Sequence, residues 1–305
     1  MDRTNLTRPG GEWDALRLDV PESARPSLRL SVAGNRNLVL VDESAADADA
    51  PPLLLGEIDP QCYGVDYHCP APLHSSPAPL RAADARALGS ADDRTWYARW
   101  AHRMADELAA GGPLYGGAWV LSRDMDRTRL RFPAFAAPTM PTRPGGRIDF
   151  NAHTSDYWEI LPLRALSPAE HGRVKAYRKQ VRDGSLPPVL VWWISVLQTH
   201  VVLDGHDRLA ASIAEHRVPP LLVLSRPMAY DAYVEGPVGG YEQRMASITA
   251  APDAGANAVR DAGLQLARDL HRLRQGYGPT RAWPLKGGVP AWRSLVARHA
   301  PDWAR

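Results

Sequence analysis

An α/β fold, also described as α+β, with a mixed sheet flanked by helices, follows from three features of the sequence. Leu186 to Leu224 passes from an apolar, β-branched run through a polar turn into helical periodicity and back to an apolar run. Trp96, Trp100, Met104 and Leu108 recur every four residues, which is the spacing of one helix face. Elsewhere, short apolar or alternating runs are bounded by Gly, Pro and Asn, the punctuation of strands and turns. With 305 residues and 45% hydrophobic content the chain can bury one large core or two modest ones.

Met1 to Arg25 shows little periodicity and is expected to form an extended arm or irregular start. LRLSV and LVLV flank Ala33-Gly34-Asn35-Arg36-Asn37, which predicts a β-hairpin over Leu28 to Val41. The acidic ESAADADAPP reads as a surface loop, Pro52 to Ile58 as a short strand, and APLHSSPAPL as a connection. Asp92 and Asp93 suit the start of the Trp96 helix, and Gly111-Gly112-Pro113 suits its stop. Its aromatic stripe is read as a helix–sheet interface. Tyr115 to Ser122 and Leu130 to Phe135 read as strands.

Pro138 to Asp156, rich in Pro, Gly and polar residues, reads as a linker. It sets an N-terminal α+β region at 1–150, a second domain at 151–250 and a helical C-terminal segment at 251–305. Ser167-Pro168-Ala169-Glu170 combines an N-cap, a proline at the first helical position and an acid at the third, predicting a helix to Arg182. That helix is basic through Arg173, Lys175, Arg178, Lys179 and Arg182, and packs through Val174, Tyr177 and Val181. Strands are expected at Val189–Trp193, Val201–Leu203 and Leu221–Leu224, followed by an irregular, polar Arg226–Gly240. Helices over Ala254–Arg274 and Pro290–Ala300 complete the chain, with Trp283, Trp292 and Trp303 anchoring the tail.

Composition removes several function classes. A formal net charge of +2, with Arg interleaved among acids, argues against a strongly basic nucleic-acid footprint and leaves DNA binding unadvertised rather than excluded. No run of eighteen uncharged apolar residues occurs and the N-terminus lacks an apolar signal core, so the expected compartment is the cytoplasm, with no membrane partner. Two cysteines, Cys62 and Cys69, rule out a disulfide framework, and with His68 they lack the second ligand pair of a zinc site. His171, His200 and His216 read as ordinary surface or core residues. No P-loop or nucleophile-elbow string is present.

The chemistry concentrates in Asp204-Gly205-His206-Asp207-Arg208, between a strand and a helix. A helix N-terminus offers unpaired N–H groups and a positive dipole end, a natural seat for an anion such as phosphate. Gly205 lets the backbone approach, Arg208 can form paired charge-assisted hydrogen bonds, and His206 can donate to a phosphate oxygen. Asp204 can cap the helix or bind a metal. Glu170 sits at the start of its own predicted helix, where the dipole favours a carboxylate base, and Arg173 one turn on can recognise an acidic substrate.

The order of features from Ile160 to Leu224 resembles the ParB/sulfiredoxin-like domain. It comprises an LPL…L-S-P-x-E segment, a helix, Gly-x-x-x-Pro-Pro before a strand, then Asp-Gly-His-x-Arg-Leu-x-Ala, a short helix and a Val-Pro opening a last strand. Sulfiredoxins carry an essential cysteine where this chain has His206, and partition proteins a Gly-Glu-Arg-Arg-like string followed by a helix-turn-helix. The turn is most similar to that of free-serine kinases, Asp-Gly-His-His-Arg. That similarity implies ATP or ADP as cofactor, CTP being the alternative, with Mg²⁺ and a small hydroxyl-bearing substrate. It implies a cofactor-binding set of Asp204, Gly205, His206, Asp207 and Arg208, in which Gly205, His206 and Arg208 hold phosphate, and catalytic roles for Glu170 and His206. Asp207 replaces the second histidine and would either hold the Mg²⁺ or mark the loss of kinase activity. The reading is thus a phosphotransferase or nucleotide hydrolase, against a non-catalytic regulatory protein or DNA-associated adaptor of the same fold.

Overall fold

Two mixed sheets organise the computed structural model, which describes residues 1–8, 10–44, 49–61, 64–73, 85, 87–89, 93–123, 145–149, 160–228, 235–250, 256–275 and 277–303. Before residue 150 the elements are β1 (Asp2–Thr7), β2 (Trp13–Val20), β3 (Leu28–Ala33), β4 (Asn37–Asp42), β5 (Leu54–Ile58), β6 (Gly64–His68), α1 (Trp96–Ala110), β7 (Gly117–Arg123) and β8 (Gly145–Asp149). Next come β9 (Ile160–Pro162), α2 (Gly172–Arg182), β10 (Val189–Ile194), β11 (Thr199–Asp204), α3 (His206–Ala214) and β12 (Leu221–Pro227). The chain closes with α4 (Glu235–Ala250), α5 (Ala256–Gln275), β13 (Tyr277–Gly278), β14 (Trp283–Pro284) and α6 (Gly288–His299).

The larger sheet runs β1-β2-β7-β12-β10-β11-β9, with β13 added beside β12, and the smaller runs β14-β3-β4-β5-β6-β8. In the larger sheet β10 is parallel to β12 and β11 to β9, while the remaining pairs are antiparallel. The two sheets share one core, because Leu30 and Leu40 of the smaller belong to the same apolar cluster as Leu16, Trp119 and Leu222 of the larger. Helix α1 seals that core. Trp96, Trp100, Met104 and Leu108 are buried as the four-residue period predicts, against β2 and β7.

The hairpin at β3–β4 forms as expected, turning through Gly34 at φ 61°. Several expectations need correction. Met1 to Arg25 contains a strand pair: Leu16, Leu18 and Val20 of β2 share one face and join the core, but Trp13 and Ala15 are buried as well and blur the alternation. β1 is an edge strand with mostly exposed side chains, so it carries no apolar signal. The supposed linker contains β8, whose Ile148 pairs across from Val65. Gly64–His68, which no expectation covered, is a strand as well. The polar stretch after Arg226 gives way to α4 at Glu235. β7, from residues 1–150, pairs with β12, from residues 151–250, in the larger sheet. Leu130–Phe135 and Cys62 lie outside the described residues.

The tail is anchored as its tryptophans suggest. Trp292 Nε1 donates to the Leu38 carbonyl at 3.2 Å, Trp303 stacks on His68, and Trp283 lies on β14 beside β3. Burial pushes the Cys69 thiol up to about 12, which leaves it an inert thiol. Among the described residues no helix is long and apolar enough to cross a membrane.

Candidate functional site

β11, flanked by β10 and the edge strand β9, brings the chain to Asp204, and Gly205 turns it with φ 98° before α3 begins. Leu209 packs under the sheet with Val191, Val202 and Val223, while Ala210 and Ala211 pack against Val174, Tyr177 and Val181 of α2. Helix α3 is therefore wedged between sheet and helix, and its polar first turn is buried along with its apolar face. No side chain caps it, and the first intrahelical bond runs from Leu209 N to the Gly205 carbonyl at 2.8 Å.

Within that turn Arg208 folds back on itself. Its side chain is 2% exposed and Nη2 donates to Asp204 Oδ2 at 2.6 Å. A Cβ on residue 205 would stand 2.7 Å from Arg208 Nη2, so glycine is required for the guanidinium as well as for the positive φ. Asp207 is held from outside: Ser167 Oγ donates to Oδ1 at 2.7 Å, Arg164 Nη2 lies 3.4 Å from Oδ1, and Arg173 Nε lies 3.5 Å from Oδ2. Three guanidiniums face two carboxylates and leave one formal positive charge at a helix N-terminus.

His206 is 1% exposed and neither ring nitrogen has a partner among the described residues. Burial, helped by the Arg164 cation, lowers its pKa to about 3, so the imidazole is neutral at ordinary pH. It can then donate one hydrogen bond and accept another.

Glu170 takes a different place from the one its spacing suggests. Ser167 spends its hydroxyl on Asp207, and His171 N closes a turn onto the Pro168 carbonyl at 2.9 Å. Helix α2 therefore starts at Gly172 with His171 as its N-cap, and Glu170 precedes the helix. Its side chain is 76% exposed and pairs with Lys175 at 2.9 Å and Arg178 at 3.9 Å, which hold its carboxyl below the usual range. None of these partners belongs to the β11–α3 turn. The structure thus gathers Arg173, Asp204, Gly205, His206, Asp207 and Arg208, adds Arg164 and Ser167, and leaves Glu170 at the periphery. Arg164 and Ser167 carried a weak signal: they lie in the LPLRALSPAE segment, where the serine also reads as an N-cap.

As a metal site the turn is a poor fit. Asp204 and Asp207 are each already held by arginine, and among the described residues no three His, Cys, Asp or Glu side chains assemble into a ligand set. As an oxyanion site it fits better, because the Arg164 and Arg173 side chains are part-exposed to solvent. A separate cleft of about 730 Å³ lies between the smaller sheet and α6, lined by residues that include Glu57, Asp66, Trp292 and Trp303, and none of its lining residues comes from the turn. Comparison of the chain with family models, with curated proteins and with solved structures finds no match.

Proposed function

We propose that this chain binds the phosphate groups of a nucleotide at the β11–α3 turn, in a domain of ParB/sulfiredoxin-like architecture. The observation that carries the reading is the convergence of Arg164 and Arg173, from the segment between β9 and α2, on the N-terminal turn of α3. The strand–helix–strand–strand–helix–strand order of β9, α2, β10, β11, α3 and β12 supports the architecture. A phosphate entering there draws the two guanidiniums away from Asp207, adds the helix N–H groups as donors, and meets the neutral His206 as one further donor.

The geometry favours binding over transfer. Phosphoryl transfer to a hydroxyl acceptor would have Glu170 accept a proton, yet its paired cations already weaken it as a base. ATP, ADP and CTP, each with and without Mg²⁺, are therefore expected to raise the melting temperature, by about 2.7 kcal/mol of stabilisation at a hundredfold excess over Kd. The shift should disappear in Arg164→Ala/Arg173→Ala and survive in Glu170→Gln. A wild-type chain indifferent to all three nucleotides overturns the proposal, and turnover that Glu170→Gln abolishes would replace it with the phosphotransferase reading.

A further inference from the structure

At the far end of the larger sheet, six side chains alternate as aromatic and cation. Trp119 lies 5.4 Å from the Arg226 guanidinium, which lies 5.2 Å from Tyr115. Tyr115 is 5.8 Å from Arg281, which is 5.0 Å from Trp283, which in turn is 5.5 Å from Arg29. The row joins β7 and β12 of the larger sheet to β14 and β3 of the smaller. It is distant from the β11–α3 turn, because Asp204 pairs with Leu190 near the start of β10, whereas Arg226 ends the parallel strand β12. The four residues from Leu222 to Arg226 separate the two ends by roughly 13 Å along the strand.

Arg29 is neutralised by Glu43 at 3.0 Å, but Arg226 and Arg281 have no carboxylate within ion-pair distance among the described residues. Glu22 is the nearby acid, with Oε2 close to Gly116, and it bonds to neither arginine. Among the described residues Arg226 makes one long hydrogen bond, from Nη1 to the Gly116 carbonyl at 3.4 Å, and the Arg281 guanidinium makes none. Arg281 is nonetheless fixed in place although it is exposed. Its own N–H donates to Tyr115 Oη at 3.1 Å, and the preceding Thr280 is tied by Oγ1 to the Trp193 carbonyl at 2.9 Å and by N–H to Ser195 Oγ at 2.9 Å. Both guanidiniums lie against the same phenol ring, with most of their donors unspent among the described residues.

We infer that Arg226 and Arg281 form a second oxyanion site, one that takes the phosphate group of a small phosphorylated ligand or of a nucleic-acid strand. A solvated surface arginine loses side-chain entropy on capturing an anion, but here stacking and backbone bonds have already removed much of that freedom. The guanidinium carbons lie 5.0–5.8 Å from the ring centroids, and recognition falls to the N–H groups, which match phosphate oxygens. An anion would also relieve the repulsion between two cations sharing one ring.

Calorimetric titration of the full chain with pyrophosphate, and separately with a single-stranded oligonucleotide, tests this. Binding of at least one of the two is expected, and Arg226→Gln/Arg281→Gln should weaken it by about tenfold or more. The effect must persist in a chain that also carries Arg164→Ala/Arg173→Ala, which separates this site from the nucleotide turn. Binding of pyrophosphate alone assigns a small ligand, and binding of the oligonucleotide with a steep salt dependence assigns a strand. If Arg226→Gln disturbs the fold, Arg281→Gln alone, at an exposed position, must still reduce affinity. No binding by either probe, or affinity unchanged in both variants, overturns the inference.

Discussion

Gly205 takes φ 98° and leaves room for the Arg208 guanidinium that closes onto Asp204, so an added methyl group meets two objections at once. Gly205→Ala is expected to cost about 1–3 kcal/mol in urea unfolding, through backbone strain and displacement of a buried cation. His206 makes a different prediction. Its folded pKa is about 3 against 6.5 for the free side chain, so the neutral form is favoured in the fold. The stability this confers is complete above 6.5 and is lost as pH falls towards 3. Between pH 7 and pH 5 the loss should reach roughly 2 kcal/mol, and His206→Gln should flatten that part of the stability profile. An unchanged profile would mean that water or a rearrangement solvates the imidazole. The polar motif at Asp204–Arg208 was legible because a strand-to-helix turn confines it. Its inward partners were not legible, because pairing of Arg164 and Ser167 with Asp207 depends on how α2 docks against α3, which no local spacing encodes.

Helix α1 shows what an element reveals when its pattern is pure. Every fourth position from Trp96 is buried, and Trp100 meets the edge of Trp96 with ring centroids 6.3 Å apart. Trp100→Ala should therefore destabilise the chain by about 3–5 kcal/mol, measurable as a lowered denaturation midpoint. Its start was less predictable. Thr95 is the N-cap, while Asp93 Oδ1 accepts from the Thr95 N–H and hydroxyl at 2.8 Å each, so the acid organises the approach to the helix. Helix α2 repeats the lesson, because Ser167 satisfies Asp207 and the helix begins at Gly172. A capping signature states which groups can bond, and tertiary competitors decide which do. β1 and β2 went unread for the opposite reason: an exposed edge strand has no apolar period, and in β2 the short alternation of Leu16, Leu18 and Val20 is blurred by the burial of Ala15 out of phase.

At the scale of the molecule, the strands nearest the candidate site draw stability from the N-terminal half. β12 is hydrogen-bonded to β10 on one side and to β7 on the other, with Leu224 opposite Leu121, and β7 continues the sheet to β2. On the face away from α3, Trp192, Leu222 and Leu224 share a core with Trp100, Trp119 and Leu30. Removing residues 1–150 would expose the β12 edge and strip that face of its cover, while leaving α2 and α3 only their own smaller clusters. A fragment covering residues 151–250 is therefore expected to aggregate or to lack a cooperative thermal transition, whereas the full chain melts cooperatively. Co-expression with residues 1–150 should restore a soluble complex, since the missing partners are strand neighbours and core side chains. A fragment that folds alone and binds nucleotide as tightly as the full chain would show that the sheet's continuity across residue 150 does not support the site. Failure of the fragment, with rescue by the N-terminal half, would make the two halves one folding unit built around the β11–α3 turn.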